Sequence, residues 1–222
     1  MVALARVVRG VGWTLVVTGG VVLLYVVYLL WFTDLSANAS QRDLAQQFDL
    51  RLPGDAEVEP GAPPPAADED PVDPVDPGDA YAALWFERDG QRIVAADPLY
   101  VVEGVSVDHL RLGPGHYPES DRPGGAGNLA IAGHRTTYGR PFWALDDLRE
   151  GDTIHVVDRQ GREWVYAYRE QRVVTPSDVW VVGEDPLDTG APTITLTTCH
   201  PRFSAAQRLI AWGELVGDSV TT

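Results

Sequence analysis

The only cysteine of this chain, Cys199, ends a strand-like run, Thr193-Ile194-Thr195-Leu196-Thr197-Thr198, and Pro201 follows closely. A thiol at a strand end, just before a turn, stands at the rim of a sheet where a substrate can reach it. A thiolate attacks carbonyl carbon well, and a thioester intermediate splits one difficult acyl transfer into two easier steps. Such chemistry needs a group that moves protons. His134 is the best of the five histidines for this. It also ends an apolar strand pattern, Leu129-Ala130-Ile131-Ala132-Gly133, and a Thr-Thr-Tyr-Gly turn follows it. If the two strands are neighbours, their ends converge at one edge. Attack on an amide creates an oxyanion, and a fixed donor aimed at it lowers the barrier. Arg208, at the start of the next strand pattern, and Arg202, in the turn after Cys199, are both permanently charged donors. Spacing alone leaves the choice between them open.

Each residue has a plainer reading. A lone cysteine can be a buried, inert hydrophobe. His134 can be a rim histidine that bonds only backbone, and Arg208 a surface strand arginine in a salt bridge. His200 is a poor base for Cys199, because neighbours in a strand point to opposite faces. His116, in Gly113-Pro114-Gly115-His116-Tyr117-Pro118, either lines the site or locks the loop. His109 and His155 read as surface residues. No Cys/His cluster has zinc spacing, and no glycine pattern points to a nucleotide.

The elements that must place these residues are mostly short strands. Tyr81–Phe86 precedes an Asp89-Gly90 hairpin signal. Leu99–Gly104, Leu129–His134, Thr153–Val157, Glu163–Val173, Thr193–Thr198 and Arg208–Leu215 follow as strand patterns, with a short helical patch at Val107–Leu110. Pro141–Leu148 reads as a short helix with proline in its first turn. Two stretches, 113–128 and 175–190, read as long loops. Many short strands and few helices indicate a mainly β barrel or sandwich spanning residues 81–218, with a tail at 219–222.

What precedes this domain sets its location. Arg6 and Arg9 come before an uncharged apolar run over 11–32. About 20 apolar residues cross a bilayer, so 11–32 reads as a transmembrane signal-anchor. Its length exceeds that of a cleaved signal peptide, although Ala37-Asn38-Ala39 resembles a cleavage site. The arginine bias keeps residues 1–10 cytoplasmic and exports the rest. Residues 33–80 form a stalk and linker. Ser40 is placed to cap a short helix with Asp43 at its third position. Beyond it, a Pro-rich acidic segment without Lys or Arg is expected to be disordered and extended. The formal net charge of −15, much of it in this segment, argues against nucleic acid as a partner, since phosphate binding needs clustered Lys and Arg.

Thr195-Leu196-Thr197-Thr198-Cys199 resembles the T-L-x-T-C signature of sortases, cell-wall transpeptidases of Gram-positive bacteria. Ala130–Gly139 is similar to the family's histidine segment, and Gly113–Pro118 to the loop before it. The run Cys199–Arg208 resembles the class E sortases of actinobacteria, which selects Arg208 over Arg202. The resemblance implies an eight-stranded sortase-type β-barrel. It also implies cleavage of an exported protein's C-terminal sorting signal, Leu-Ala-x-Thr-Gly or Leu-Pro-x-Thr-Gly in type, between Thr and Gly. The acyl group would pass to an amine of lipid II or another peptidoglycan precursor. Cys199, His134 and Arg208 are then catalytic, and Thr198, Thr197, His116 and Tyr117 bind substrate. Loops 113–127 and 175–190 would form the groove. No cofactor and no metal is expected. A pilin-polymerising sortase is disfavoured by the lack of a convincing lid, and an L,D-transpeptidase by Thr-Thr-Cys in place of Ser-x-Gly-Cys. The remaining alternative is a non-catalytic, membrane-tethered β-domain.

Overall fold

The computed structural model describes residues 2–51 and 74–218. Most of the Pro-rich segment and the tail 219–222 lie outside the described residues.

Helix α1 runs unbroken over Val2–Arg51. No Gly or Pro interrupts it between Gly20 and Arg51. Within it, Val8–Val26 is long and apolar enough to cross a membrane, and this stretch makes no buried contact with the rest of the fold. Ser40 begins no separate helix. It lies mid-helix, with its hydroxyl donating to the Ser36 carbonyl at 3.1 Å. The residues beyond the apolar span are more than a stalk. Ala37, Leu44 and Phe48 are buried, and Leu44 and Phe48 pack with Ala80, Ala83 and Val102.

Among the described residues nine strands follow: β1 (Ala80–Arg88), β2 (Gln91–Ile93), β3 (Leu99–Glu103), β4 (Gly115–His116), β5 (Asn128–Ala132), β6 (Thr153–Val157), β7 (Glu163–Val174), β8 (Thr193–His200) and β9 (Gln207–Asp218). A short helix, α2 (Val107–Leu110), lies between β3 and β4. Eight strands close a barrel in the order β1-β3-β4-β5-β8-β9-β7-β6, and β6 returns to β1. The ninth, β2, only extends β1 through a hairpin whose turn residues Asp89 and Gly90 both have positive φ. The β3–β4 and β5–β8 pairs are parallel. Every other pair is antiparallel.

An eight-stranded barrel has an interior just wide enough for its own side chains. Phe86, Leu129, Ile131, Ile154, Ile194 and Leu196 fill it and are essentially inaccessible. Alternation along each strand sends the neighbours of these residues outward.

The strand expectations match the observed elements except at their ends. β5 stops at Ala132, two residues before His134, while β8 continues through Cys199 to His200. β4 lies inside the Gly/Pro-rich stretch read as loop; two residues are too few to show a period. The expected helix over 141–148 is only a 3-10 turn at Leu145–Asp147. Phe142, Leu145 and Leu148 are all buried, and a spacing of three suits a 3-10 turn, whose side chains eclipse at i and i+3.

Candidate active site

Strand β8 supplies the centre of the site. Ile194 and Leu196 point into the barrel, so Thr195, Thr197 and Cys199 point out. On β9, Leu209 and Ala211 point inward, leaving Arg208, Ile210 and Trp212 outside. Cys199 stands directly opposite Arg208 in the antiparallel ladder. Directly opposed residues share a face with their Cβ atoms about 5 Å apart.

Strand β5 lies parallel on the other side of β8, with Ala132 beside Thr197. The Gly133 N–H donates to the Thr197 carbonyl at 3.0 Å. The Thr198 hydroxyl donates to the Gly133 carbonyl at 2.7 Å. These two bonds carry the pairing past the strand end and bring His134 level with Cys199. A Cβ at Gly133 would lie 2.5 Å from the buried Phe142 ring. Position 133 thus faces inward, and His134 falls on the outer face with Cys199 and Arg208.

The His134 ring packs against Tyr138 at 4.9 Å between centroids. Its Nε2 is buried and makes no hydrogen bond among the described residues. Burial first, and the nearby Arg111 charge second, hold its pKa below the usual histidine value. The Arg111 guanidinium itself sits 5.8 Å from the Tyr138 ring centre. Arg208 is anchored through Nη1, which donates to the carbonyls of Ala205 and Gln207 at 3.0 Å each. A guanidinium carries five N–H donors, so capacity remains for a substrate oxygen. Cys199 is a free, partly accessible thiol.

The other expected binding residues divide. Tyr117 is partly buried; burial raises its pKa, and the Arg208 charge opposes that rise. Thr197 lies on the outer face between Ala132 and Ile210 and is 6% exposed. Thr198 faces the barrel interior, 3% exposed, with its hydroxyl given to Gly133. It therefore ties two strand ends together and does not line the groove. His116 is a correction as well. It is buried, with Nδ1 2.8 Å from the Glu103 carboxylate and Nε2 3.1 Å from the Ser120 hydroxyl. Its ring stacks flat on Tyr81 at 4.0 Å. It locks the loop because it opposes the inward Ile131 in the ladder, so the pleat turns it into the barrel.

Arg135 was not legible as a site residue, yet it joins the two strand ends. It is 2% exposed. Its guanidinium meets His200 Nδ1 at 3.1 Å, the Cys199 carbonyl at 3.5 Å and the Asp146 carboxylate at 2.7 Å. Arg202 shares Asp146 at 2.8 Å and donates to the Trp143 carbonyl. Arg202 is thereby engaged away from the thiol, while Arg208 faces it across the ladder.

The 175–190 loop packs on the outer face of β9. Its 3-10 turn, Val179–Val182, puts Val181 against Ile210 and Trp212. The Trp212 indole donates to the Val181 carbonyl at 3.2 Å and stacks against Trp180 at 5.8 Å. Thr195 bonds the same carbonyl at 3.1 Å.

Comparison with known proteins agrees with this geometry. The sortase domain family matches residues 94–216. Sortase SrtE1 of Streptomyces coelicolor is 32% identical over 94% of this chain, which spans only 57% of that relative's length. Sortase SrtE2 of the same organism is 29% identical, covering 96% of this chain and 83% of the relative. The structure of sortase E from Streptomyces avermitilis superposes with a TM-score of 0.55 at 33% identity, covering 64% of this chain and 90% of that one. Sortase E1 from Streptomyces coelicolor, solved with a tripeptide in its active site, also gives a TM-score of 0.55, at 31% identity over 65% of this chain and 93% of that one. With matching motifs, barrel topology and relatives, the chain belongs to the sortase family and to its class E.

Proposed function

We propose that this protein is a membrane-anchored cysteine transpeptidase that joins exported proteins to a cell-wall amine. The observation that carries the reading is the shared outer face of Cys199, His134 and Arg208, held by the β8–β9 ladder on one side and the β5–β8 pair on the other.

The Cys199 thiolate attacks the threonine carbonyl carbon of a Leu-Ala-x-Thr-Gly or Leu-Pro-x-Thr-Gly signal. Arg208 stabilises the resulting oxyanion, an interaction that strengthens as charge develops. The carbon–nitrogen bond to glycine then breaks, and the departing amine takes a proton from His134. This leaves a thioester on Cys199 and neutral His134. An incoming amine, such as that of lipid II, gives a proton to His134 and attacks the thioester. Collapse forms the new amide and returns the thiolate. Burial and the Arg111 charge lower the His134 pKa, which favours release of its proton to the departing amine. Tyr117 and Thr197 contribute to signal binding. The apolar stretch of α1 holds the enzyme in the cell membrane, with residues 1–10 inside and the barrel outside.

The test uses the full chain in detergent micelles with a fluorogenic Leu-Ala-x-Thr-Gly peptide and an amine. The expected result is cleavage and amide transfer by the parent, lost in Cys199→Ala. No cleavage by the parent, or equal cleavage by the variant, would overturn the proposal.

A further inference from the structure

The α1 residues beyond the apolar span show a stripe at 37, 41, 44 and 48, the spacing of one helix face. Ala37, Leu44 and Phe48 are 1%, 3% and 3% exposed. Phe48 meets Tyr100 edge-on at 5.8 Å. Gln41 behaves like a short piece of strand. Its carboxamide Nε2 donates to the carbonyls of Tyr100 at 2.9 Å and Leu112 at 3.0 Å, and its Oε1 accepts from the Tyr100 N–H at 2.8 Å. A side chain at Gly113 would collide with this amide at 2.2 Å.

The same face reaches the surroundings of His134 from two directions. Through Leu112 it fixes the segment that carries Arg111, whose charge acts on His134. Through Ala37 it abuts Gly139: a Cβ there would lie 3.3 Å from the Ala37 methyl. Gly139 adjoins Tyr138, the ring packed on His134. Arg111 and Tyr138 also meet each other. Both segments that frame the histidine are thus braced by one turn-and-a-half of the anchor helix.

We propose that residues 37–48 of α1 are a positioning element for His134, so that the anchor helix and the site act as one mechanical unit. This rests on the reading of His134 as the proton carrier. The helix is continuous from the apolar span through Ala37. The brace does not touch the thiol. It sets the burial and charge felt by the imidazole.

The test compares full-length variants in detergent. Ala37→Phe wedges the helix from Gly139, and Gln41→Leu removes three hydrogen bonds at similar volume. Leu35→Ala, on the exposed side of the helix at 70% exposure, is the control. The first two are expected to lose ~10-fold or more in kcat, the scale of a misplaced acid–base group, with peptide KM little changed. The pH limb governed by His134 should move upward toward the ordinary histidine range as burial is relieved. The control should match the parent. Parent-like kcat and pH profile in both variants would overturn the proposal. So would activity lost in step with thermal stability while the limb stays in place. If Ala37→Phe does not fold, Gln41→Leu carries the same comparison. Cleavage by the parent and its loss in Cys199→Ala decide the transpeptidase reading separately.

Discussion

At the scale of single residues, charge and burial set what His134 can do. Arg111 is the removable part of the perturbation. Replacing it with glutamine takes away a positive charge and makes the imidazolium easier to form. The His134 limb of the kcat/KM profile should therefore shift to higher pH, read against the parent with the same peptide. Arg135 acts differently, by holding Asp146, His200 and the Cys199 carbonyl together. Arg135→Met keeps the length and drops the charge, leaving Asp146 with only Arg202 as a listener. Asp146 is partly exposed and keeps Arg202, so the cost is that of the lost hydrogen bonds, about 1–2 kcal/mol, and a fall in unfolding midpoint should accompany slower alkylation of Cys199. Cys199 and His134 stand out in the sequence because each closes an apolar strand pattern, whereas Arg208 is chosen over Arg202 only by the class E resemblance. Burial is not written in a sequence in the same way. His116 looks as reactive as His134 until its partner Glu103, on another strand, is placed beside it. Arg135 stands next to a site residue, and only the fold shows that its side chain crosses to the cysteine strand.

At the scale of elements, the pairing of β5 with β8 brings His134 level with Cys199, the proton carrier and nucleophile of the proposed reaction. Thr198 is its last side-chain tie. Thr198→Val conserves shape but leaves the Gly133 carbonyl without that donor. The expected loss is about 1–3 kcal/mol for a buried hydrogen bond removed from one side, measured by denaturant unfolding, together with a lower kcat as His134 loosens. The longer strands were legible because core residues alternate with outward ones. β4 was not, being two residues in a Gly/Pro-rich stretch. The docked end of α1 left a signal that went unused: Ala37, Gln41, Leu44 and Phe48 repeat at helical spacing. An isolated polar helix beside an acidic linker reads as a stalk because its partner surface, formed by Ala80, Ala83 and Val102, lies across the linker in sequence.

For the whole molecule, the ring closes only where β6 meets β1, and the site forms only where β8 slots between β5 and β9. Thr198 and Gly133 are 65 positions apart along the chain. Contacts of such long range form late and slowly, because loop closure precedes any reward. Until they form, Cys199 has neither its arginine register nor a histidine beside it. On dilution from denaturant, peptide cleavage should return no earlier than the slowest phase seen by tryptophan fluorescence. Activity that recovers with the first phase would mean that the site assembles locally. The parallel β5–β8 seam thus makes the surroundings of the thiol a report on the whole barrel: Cys199 gains its neighbours only once the last strands have found their places.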